Sequence, residues 1–497
     1  MAPSSTNLTG TVFPPEVLMY ILLLACGCFA VQPARFCDRR RTFSQVTSYW
    51  RSQVIGDVNF WNVIFVAAGT TTDELANAIE RSQASRVHVY IDPMSRSRGL
   101  PFRRSWRVAF EAIARILEET MERCYRCTVN TNHQEVDPVV TWLADLKVEN
   151  IEMLDLRLAP GSLFCSVYDE VAPWDSFEPR PSRYPPLSFL PHCTLTFLSL
   201  RHSFMFFNHA LLCSITRLRL GPILEILHVV WDDISTLLRA CTALTFLFLD
   251  DVRCSEPGPF TPCPLPFVTH LKVFAVHWTL ETVLSALQLP SLRVLDFEAV
   301  DTEPTNAYFP VALHACAEKW VNVEHLALSI DTPFVELLNE ALGSFHALRH
   351  LDLRSSTEAT VWALGRLQPP EGSTLCCYLR TIHVSAHLRQ DQINNVLAER
   401  VEGHFSSQCV LSCDFKDAGD GSRRRLSYRC NGKIVEAVEY VEPIDSGMDS
   451  RRHFLHGGIT STLPFLTLDT LSQVNRQLNL DTLYEIQFPL SVLSSIN

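Results

Sequence analysis

Along most of the chain a short apolar motif, aliphatic-x-x-aliphatic-x-aliphatic, alternates with stretches whose apolar residues fall three and four apart. The clearest copies are IEMLDL from Ile151, LTFLSL from Leu195, ITRLRL from Ile215, LTFLFL from Leu244, VTHLKV from Val268, LRVLDF from Leu292, VEHLAL from Val323, LRHLDL from Leu348 and LRTIHV from Leu379. The closing period-two alternation predicts a strand, with the x positions pointing away from the core. Successive starts are 44, 20, 29, 24, 24, 31, 25 and 31 residues apart. Recurrence on that scale marks a repeat array, in which each unit buries its apolar edge only against its neighbours. Between the motifs, Ile234, Leu237, Leu238 and Cys241, and likewise Val335, Leu338 and Leu342, share helical faces. Earlier copies extend the pattern: a helix from Glu74, a strand from Val87, a helix over 105–124 and a strand over 127–131.

Two proline clusters interrupt it. Residues 159–193 contain seven prolines and account for the 44-residue gap, while 255–266 hold five. Both read as loops of restricted flexibility projecting from the array, where insertions often mark a binding side. Beyond Gln408 the motif fades into three strands, 410–415, 426–430 and 434–441. Arg423, Arg424 and Arg425 lie in a polar loop between the first two. These strands suit a terminal cap, although the chain ends on SVLSSIN without a clear one. The array resembles a leucine-rich-repeat solenoid of the α/β class, with parallel strands alternating with helices. It departs from that family after the strand, where the usual asparagine or cysteine is replaced by Ser203, Val252, Val300 and Ser356. That implies an incomplete turn ladder and an irregular stack.

The first seventy residues differ. Val17 to Val31 is a run of fifteen residues without a charge, short of the ~20 a membrane-spanning helix needs and preceded by Glu16 rather than by the positive charge of a signal peptide. Pro14-Pro15-Glu16 opens it as a helix start. After an arginine-rich connection, residues 42–55 read as a second helix with Phe43, Val46, Trp50 and Val54 on one face, followed by Phe60-Trp61 and an apolar run over 63–68. FPPEVLMYIL, FSQVTSYWRSQV and NFWNVIFV together resemble an F-box of the fungal type, over about 55 residues. The resemblance implies a small three-helix hook that docks a Skp-type adaptor and, through it, a cullin-RING scaffold. The adaptor contacts it implies are Pro14, Pro15, Val17, Leu18, Ile21, Leu22, Val46, Trp50 and Trp61. Two other readings stay open: a protein-binding scaffold whose hook packs internally, and a repeat receptor anchored through the Val17 helix.

Composition narrows the function classes. Lys and Arg number 42 against 54 Asp and Glu, a net charge of −12, which disfavours nucleic-acid binding because phosphates need a basic stripe. Glycine is scarce at 18, and no phosphate-cradling loop, HExxH or GxSxG elbow is present. Cys124 and Cys127 form the only C-x-x-C and lack the second pair that a structural zinc site uses. The 17 cysteines, odd in number and dispersed, read as reduced thiols. His270, His325, His350 and His383 fall in or beside predicted strands. The expectation is therefore a flexible start (1–10), an F-box-like hook (11–70), a repeat array (71–407) and C-terminal strands (408–497). It is expected to act inside the cell, cytoplasmic or nuclear, as the non-catalytic substrate receptor of a ubiquitin ligase, with no cofactor and no metal.

Overall fold

The computed structural model describes residues 15–26, 33–93, 106–131, 136–146, 149–158, 194–201, 209–223, 229–254, 260–275, 279–300, 313, 316–331, 342, 344–354, 380–384, 409–416, 423–431 and 434–442. They belong to two compact units, Met1–Ser291 and Leu292–Asn497. The first opens with helices α1 (Pro15–Cys26), α2 (Pro33–Val46) and α3 (Ser48–Gly56). Strands and helices then alternate: β1 (Val63–Ala67), α4 (Thr72–Ser82), β2 (Val87–Asp92), α5 (Trp106–Met121), β3 (Cys124–Thr131), α6 (Val136–Asp145), β4 (Met153–Leu158), β5 (Phe197–Arg201), α7 (His209–Leu212), β6 (Arg217–Leu220), α8 (Trp231–Ala240) and β7 (Phe246–Asp250). The unit continues with β8 (Cys263–Pro264), β9 (His270–Ala275), α9 (Thr279–Ala286) and β10 (Leu287–Gln288). The second unit contains β11 (Val294–Val300), β12 (His325–Asp331), β13 (His350–Leu353), β14 (Thr381–Val384), β15 (Cys409–Lys416), β16 (Arg423–Asn431) and β17 (Ile434–Glu442).

In the first unit β1 to β7 and then β9 pair in chain order, every pair parallel. The register explains why. Ile64, Val89, Cys127, Leu154, Leu198, Leu218, Leu247 and Leu271 form one row across the sheet. Val66, Ile91, Val129, Leu156, Leu200, Leu220, Leu249 and Val273 form a second. None of these side chains is more than 2% exposed. Slipping any strand by one residue would turn its aliphatic pair out of the core, so burial alone selects this register. β11 to β15 repeat the arrangement in the second unit, and β15, β16 and β17 then pair antiparallel. The chain is thus an α/β protein with a leucine-rich-repeat-like stack of parallel strands, as the motif spacing predicts. All nine motifs are strands.

Parallel strands are also joined at their entrances. Thr196, Thr216, Thr245 and Thr269 each stand one residue before a strand. The Thr216 N–H donates to the Thr196 carbonyl at 2.9 Å, Thr245 to Thr216 at 2.9 Å and Thr269 to Thr245 at 2.9 Å. Their hydroxyls donate to the same carbonyls at 3.2, 3.1 and 3.3 Å. In the second unit Glu324, Arg349 and Arg380 stand at the same motif position and continue the backbone step. Their side chains add exposed ion pairs, Arg293 with Glu324 at 3.1 Å and Arg349 with Glu324 at 3.4 Å. Such pairs contribute little, so the amide ladder is the constant part.

Three expectations change. The segment expected as a connection plus one helix over 42–55 is two helices, because the Thr47 hydroxyl accepts from the Trp50 N–H at 3.1 Å and starts α3 anew. Arg423, Arg424 and Arg425 lie within β16, paired to β15 and β17, rather than in a loop. The end of the 255–266 cluster does not project. Phe260 stacks on Trp231 at 5.1 Å, the Trp231 Nε1–H donates to the Thr261 carbonyl at 2.8 Å, and Cys263 pairs with Leu287. The apolar run starting at Val17 is helical through Cys26, as expected, and residues 27–31 lie outside the described residues. The 159–193 cluster, and Val335 and Leu338, lie outside the described residues. Among the described residues no helix is long and apolar enough to cross a membrane.

Candidate partner-binding surfaces

The three N-terminal helices close around a small core of Leu18, Met19, Leu22, Cys26, Phe36, Val54, Phe60, Trp61 and Val63, with Ala78 of α4 packed against it. Helix α1 is apolar on every side. One face fills that core, and on the other Val17 and Tyr20 are exposed. Trp61 locks the unit: its Nε1–H donates to the Val54 carbonyl at 2.8 Å, and the guanidinium groups of Arg40 and Arg81 lie over its ring at 4.1 and 4.6 Å. The arginine-rich stretch also ties helices together, Arg39 donating to the Ala25 carbonyl and Arg40 to that of Phe60, each at 2.7 Å. Burial pushes the Cys26 thiol up to about 12 and the Cys37 thiol up as well.

The structure separates the expected adaptor residues. Leu18, Leu22 and Trp61 are 6%, 1% and 8% exposed and hold the hook together from inside. Ile21 and Trp50 are half-buried, Trp50 edge-on to Phe43 at 6.0 Å. Val17 and Val46 are 42% and 52% exposed. Pro15 begins α1, and Pro14 lies outside the described residues. Two exposed apolar residues were not anticipated, Tyr20 and Ile55 at 43% and 38%. Tyr20 was legible in principle, since it follows Val17 by three residues and so shares its helical face.

A second surface lies on the sheet of the first unit, on the face opposite the aliphatic rows. One row there reads His88, Arg126, Met153, Phe197, Arg217, Phe246 and His270. The next reads Tyr90, Thr128, Asp155, Ser199, Arg219, Phe248 and Lys272. A third places Asp92, Asn130, Arg157 and Arg201 side by side, with Asp250 on β7. Arg157 donates to Asp155 through Nε at 2.7 Å, and Arg201 Nε lies 3.9 Å from the other carboxylate oxygen of Asp155. Burial alone would raise the Asp155 carboxyl, but Arg157 and Arg201 overcome it and hold the group at about 2. Arg219 pairs with Asp250. Burial lowers Arg201 to about 10 despite Asp155, with Arg157 and Arg219 adding like-charge repulsion. His88, fully buried, shares a hydrogen bond with Thr128 at 3.0 Å, and burial lowers its pKa well below the usual imidazole range.

Aromatic rings alternate with these charges. Arg217 lies over Phe197 on one side and Phe246 on the other, at 5.6 and 5.5 Å. Arg219 and Lys272 both approach Phe248, at 4.5 and 5.5 Å. The corresponding face of the second unit is built differently. His325 and His350 stand side by side at 5.8 Å, His350 shares a hydrogen bond with Thr381 at 2.7 Å, and Arg354 bridges Asp352 at 2.8 Å and Asp296 at 3.3 Å. His270, His325, His350 and His383 all occupy outward rows. The arginines were missed from the sequence because the motif was read for its aliphatic positions. The x positions of ITRLRL, the penultimate residue of MLDLRL and the residue closing FLSLR were the available signal.

Cys124 and Cys127 are both fully buried on β3, and Cys127 occupies the aliphatic row between Val89 and Leu154. Burial raises both thiols, Cys124 to about 12, which suits packing better than reactivity.

No protein-family model matches the chain. No curated protein matches it either. Solved structures that it partly resembles include the leucine-rich repeat-containing protein LegL7 from Legionella pneumophila, 13% identical with a TM-score of 0.27, the match covering 69% of this chain and 93% of that one. A protein from Bacteroides fragilis is 11% identical with a TM-score of 0.32, the match covering 60% of this chain and 82% of that one.

Proposed function

We propose that this chain is the substrate-recognition subunit of a Skp-cullin-F-box type ubiquitin ligase, its hook docking a Skp-type adaptor and its repeats holding a target protein. One observation carries the reading. Of the large apolar side chains that stand exposed among the described residues, Val17, Tyr20, Val46 and Ile55 belong to the three hook helices, against Val108, Phe267 and Val321 elsewhere. A hook that has already closed its own core has no internal use for these residues, and such exposure suits a partner. On this reading the chain catalyses nothing itself. It raises the effective concentration of a target lysine beside a charged conjugating enzyme, and the cullin-RING scaffold supplies the geometry. The assembly works inside the cell, in the cytoplasm or nucleus.

A scaffold without ligase coupling is the second reading, favoured by the packing of Ala78 and Arg81 of α4 against the hook. Capture on a purified Skp-type adaptor separates the two. The wild-type chain is expected to bind, and Val17→Asp with Val46→Asp to abolish binding while circular dichroism and melting stay unchanged. Leu22→Asp is expected to unfold the hook instead. A folded wild type that the adaptor does not capture sinks the ligase reading and leaves the scaffold.

A further inference from the structure

We propose that the arginine-aromatic face of the first unit's sheet binds an acidic segment of a partner protein, through carboxylate or phosphate side chains interspersed with apolar ones. The inference deepens the target-holding half of the reading above and rests on it only for the biological setting.

Charge is the first ground. On the three outward rows from β2 to β9 stand Arg126, Arg157, Arg201, Arg217, Arg219 and Lys272 against Asp92, Asp155 and Asp250, in a chain whose net charge is −12. A cationic excess on one face of an acidic protein makes that face complementary to anions. Asp155 is shared between Arg157 and Arg201, so one carboxylate faces two guanidinium groups.

Geometry is the second. Arg219 reaches Asp250 with one end of its guanidinium, while its buried Nε has no hydrogen-bond partner. Arg217 is exposed and held only between two rings, which pre-orders a planar donor fork without using up its N–H groups. Neighbouring strands are spaced about 4.8 Å apart, so Arg217, Arg219 and Arg201 on β6 and β5 present donors within reach of successive side chains of one extended peptide. Phe197, Phe246 and Phe248 provide apolar contact between them. Asp155 and Asp250, set among the arginines, would repel the unbroken phosphate line of a nucleic acid. A peptide can instead place uncharged residues over them.

The test uses the full-length chain and fluorescence anisotropy with labelled peptides of Glu-Leu repeats, the same peptide with phosphoserine for glutamate, a Lys-Leu control and oligothymidylate. The expected result is binding of the first two that weakens with salt, with no binding of the Lys-Leu peptide. Tighter binding of the phosphoserine peptide identifies phosphate as the anion, and equal binding identifies carboxylate. Arg217→Gln and Arg219→Gln should each lower affinity about tenfold, the loss of one charge-assisted hydrogen bond. Arg217 is exposed, so its variant keeps the fold even if Arg219→Gln does not, and melting curves report this. Failure of folded wild type to bind either anionic peptide, unchanged affinity in Arg217→Gln, or tighter binding of oligothymidylate overturns the proposal. Adaptor capture on the same samples keeps the two readings apart: lost capture with intact peptide binding counts against the ligase alone, and the reverse counts against this face alone.

Discussion

Replacing Asp155 by asparagine removes the one carboxylate that two half-buried arginines share. In the wild type Asp155 is 3% exposed, hydrogen-bonded to Arg157, with Arg201 Nε at 3.9 Å. Holding its carboxyl at about 2 rather than at the ordinary 3.8 corresponds to about 2 kcal/mol of folding stability. The sign follows from the direction. A depressed carboxyl contributes fully above its unfolded value near 4, and the contribution fades as pH falls through the folded value near 2. Asp155→Asn also strands Arg157 and Arg201 on a half-buried surface, and breaking a buried pair costs about 3–5 kcal/mol. A loss of about 2–4 kcal/mol at pH 7 is therefore expected. Urea unfolding of both proteins from pH 7 to pH 2 measures it, and subtracting the two curves cancels every other titrating carboxylate. The difference should be flat above pH 5 and shrink below pH 4. A difference independent of pH, or a variant as stable as wild type at pH 7, would refute the assignment of Asp155 as the ionised centre of this network.

Two further outcomes test the packing. Gly221 has a φ of 104°, and a Cβ built there overlaps the Asp250 carbonyl oxygen and lies 2.7 Å from its carbon; Gly221→Ala should cost about 3 kcal/mol or more in denaturant unfolding, and a neutral result would show that β6 and β7 do not meet this closely. Cys26, Cys124 and Cys241, whose thiols burial pushes up to about 12, should carry about a thousandfold less thiolate than an ordinary thiol. Peptide mass spectrometry after alkylation at pH 8 should find them protected in the native chain and labelled in urea, and equal labelling in both would show that these sites are open.

How much was legible depended on whether the signal was periodic. The nine strands, the helix Trp231–Ala240 and the C-terminal strands follow from alternation and spacing, because a buried row admits only apolar side chains and leaves a mark every second residue. That the N-terminus forms a small helical unit was also legible, from Pro15-Glu16, the apolar run and Trp61. Which of its residues face outward was not. Leu18 and Val17 are neighbours of similar hydrophobicity on a helix apolar all round, and only the positions of Phe36, Val54 and Phe60 decide that Leu18 is inside and Val17 outside. The break at Thr47 was hidden for a related reason: a cap is a local hydrogen bond that a continuous apolar face does not reveal.

The sequence by itself determined the α/β repeat, because aliphatic spacing carries its own register and a one-residue slip exposes an entire row. Tertiary structure decided what stands on the other face. Arg157, Arg201, Arg217 and Arg219 are separated by up to 62 positions in the chain, and no local rule links them. They meet because parallel pairing sets equivalent positions of successive strands side by side, turning scattered arginines into one charged surface whose field depends on burial and on Asp155 and Asp250 between them.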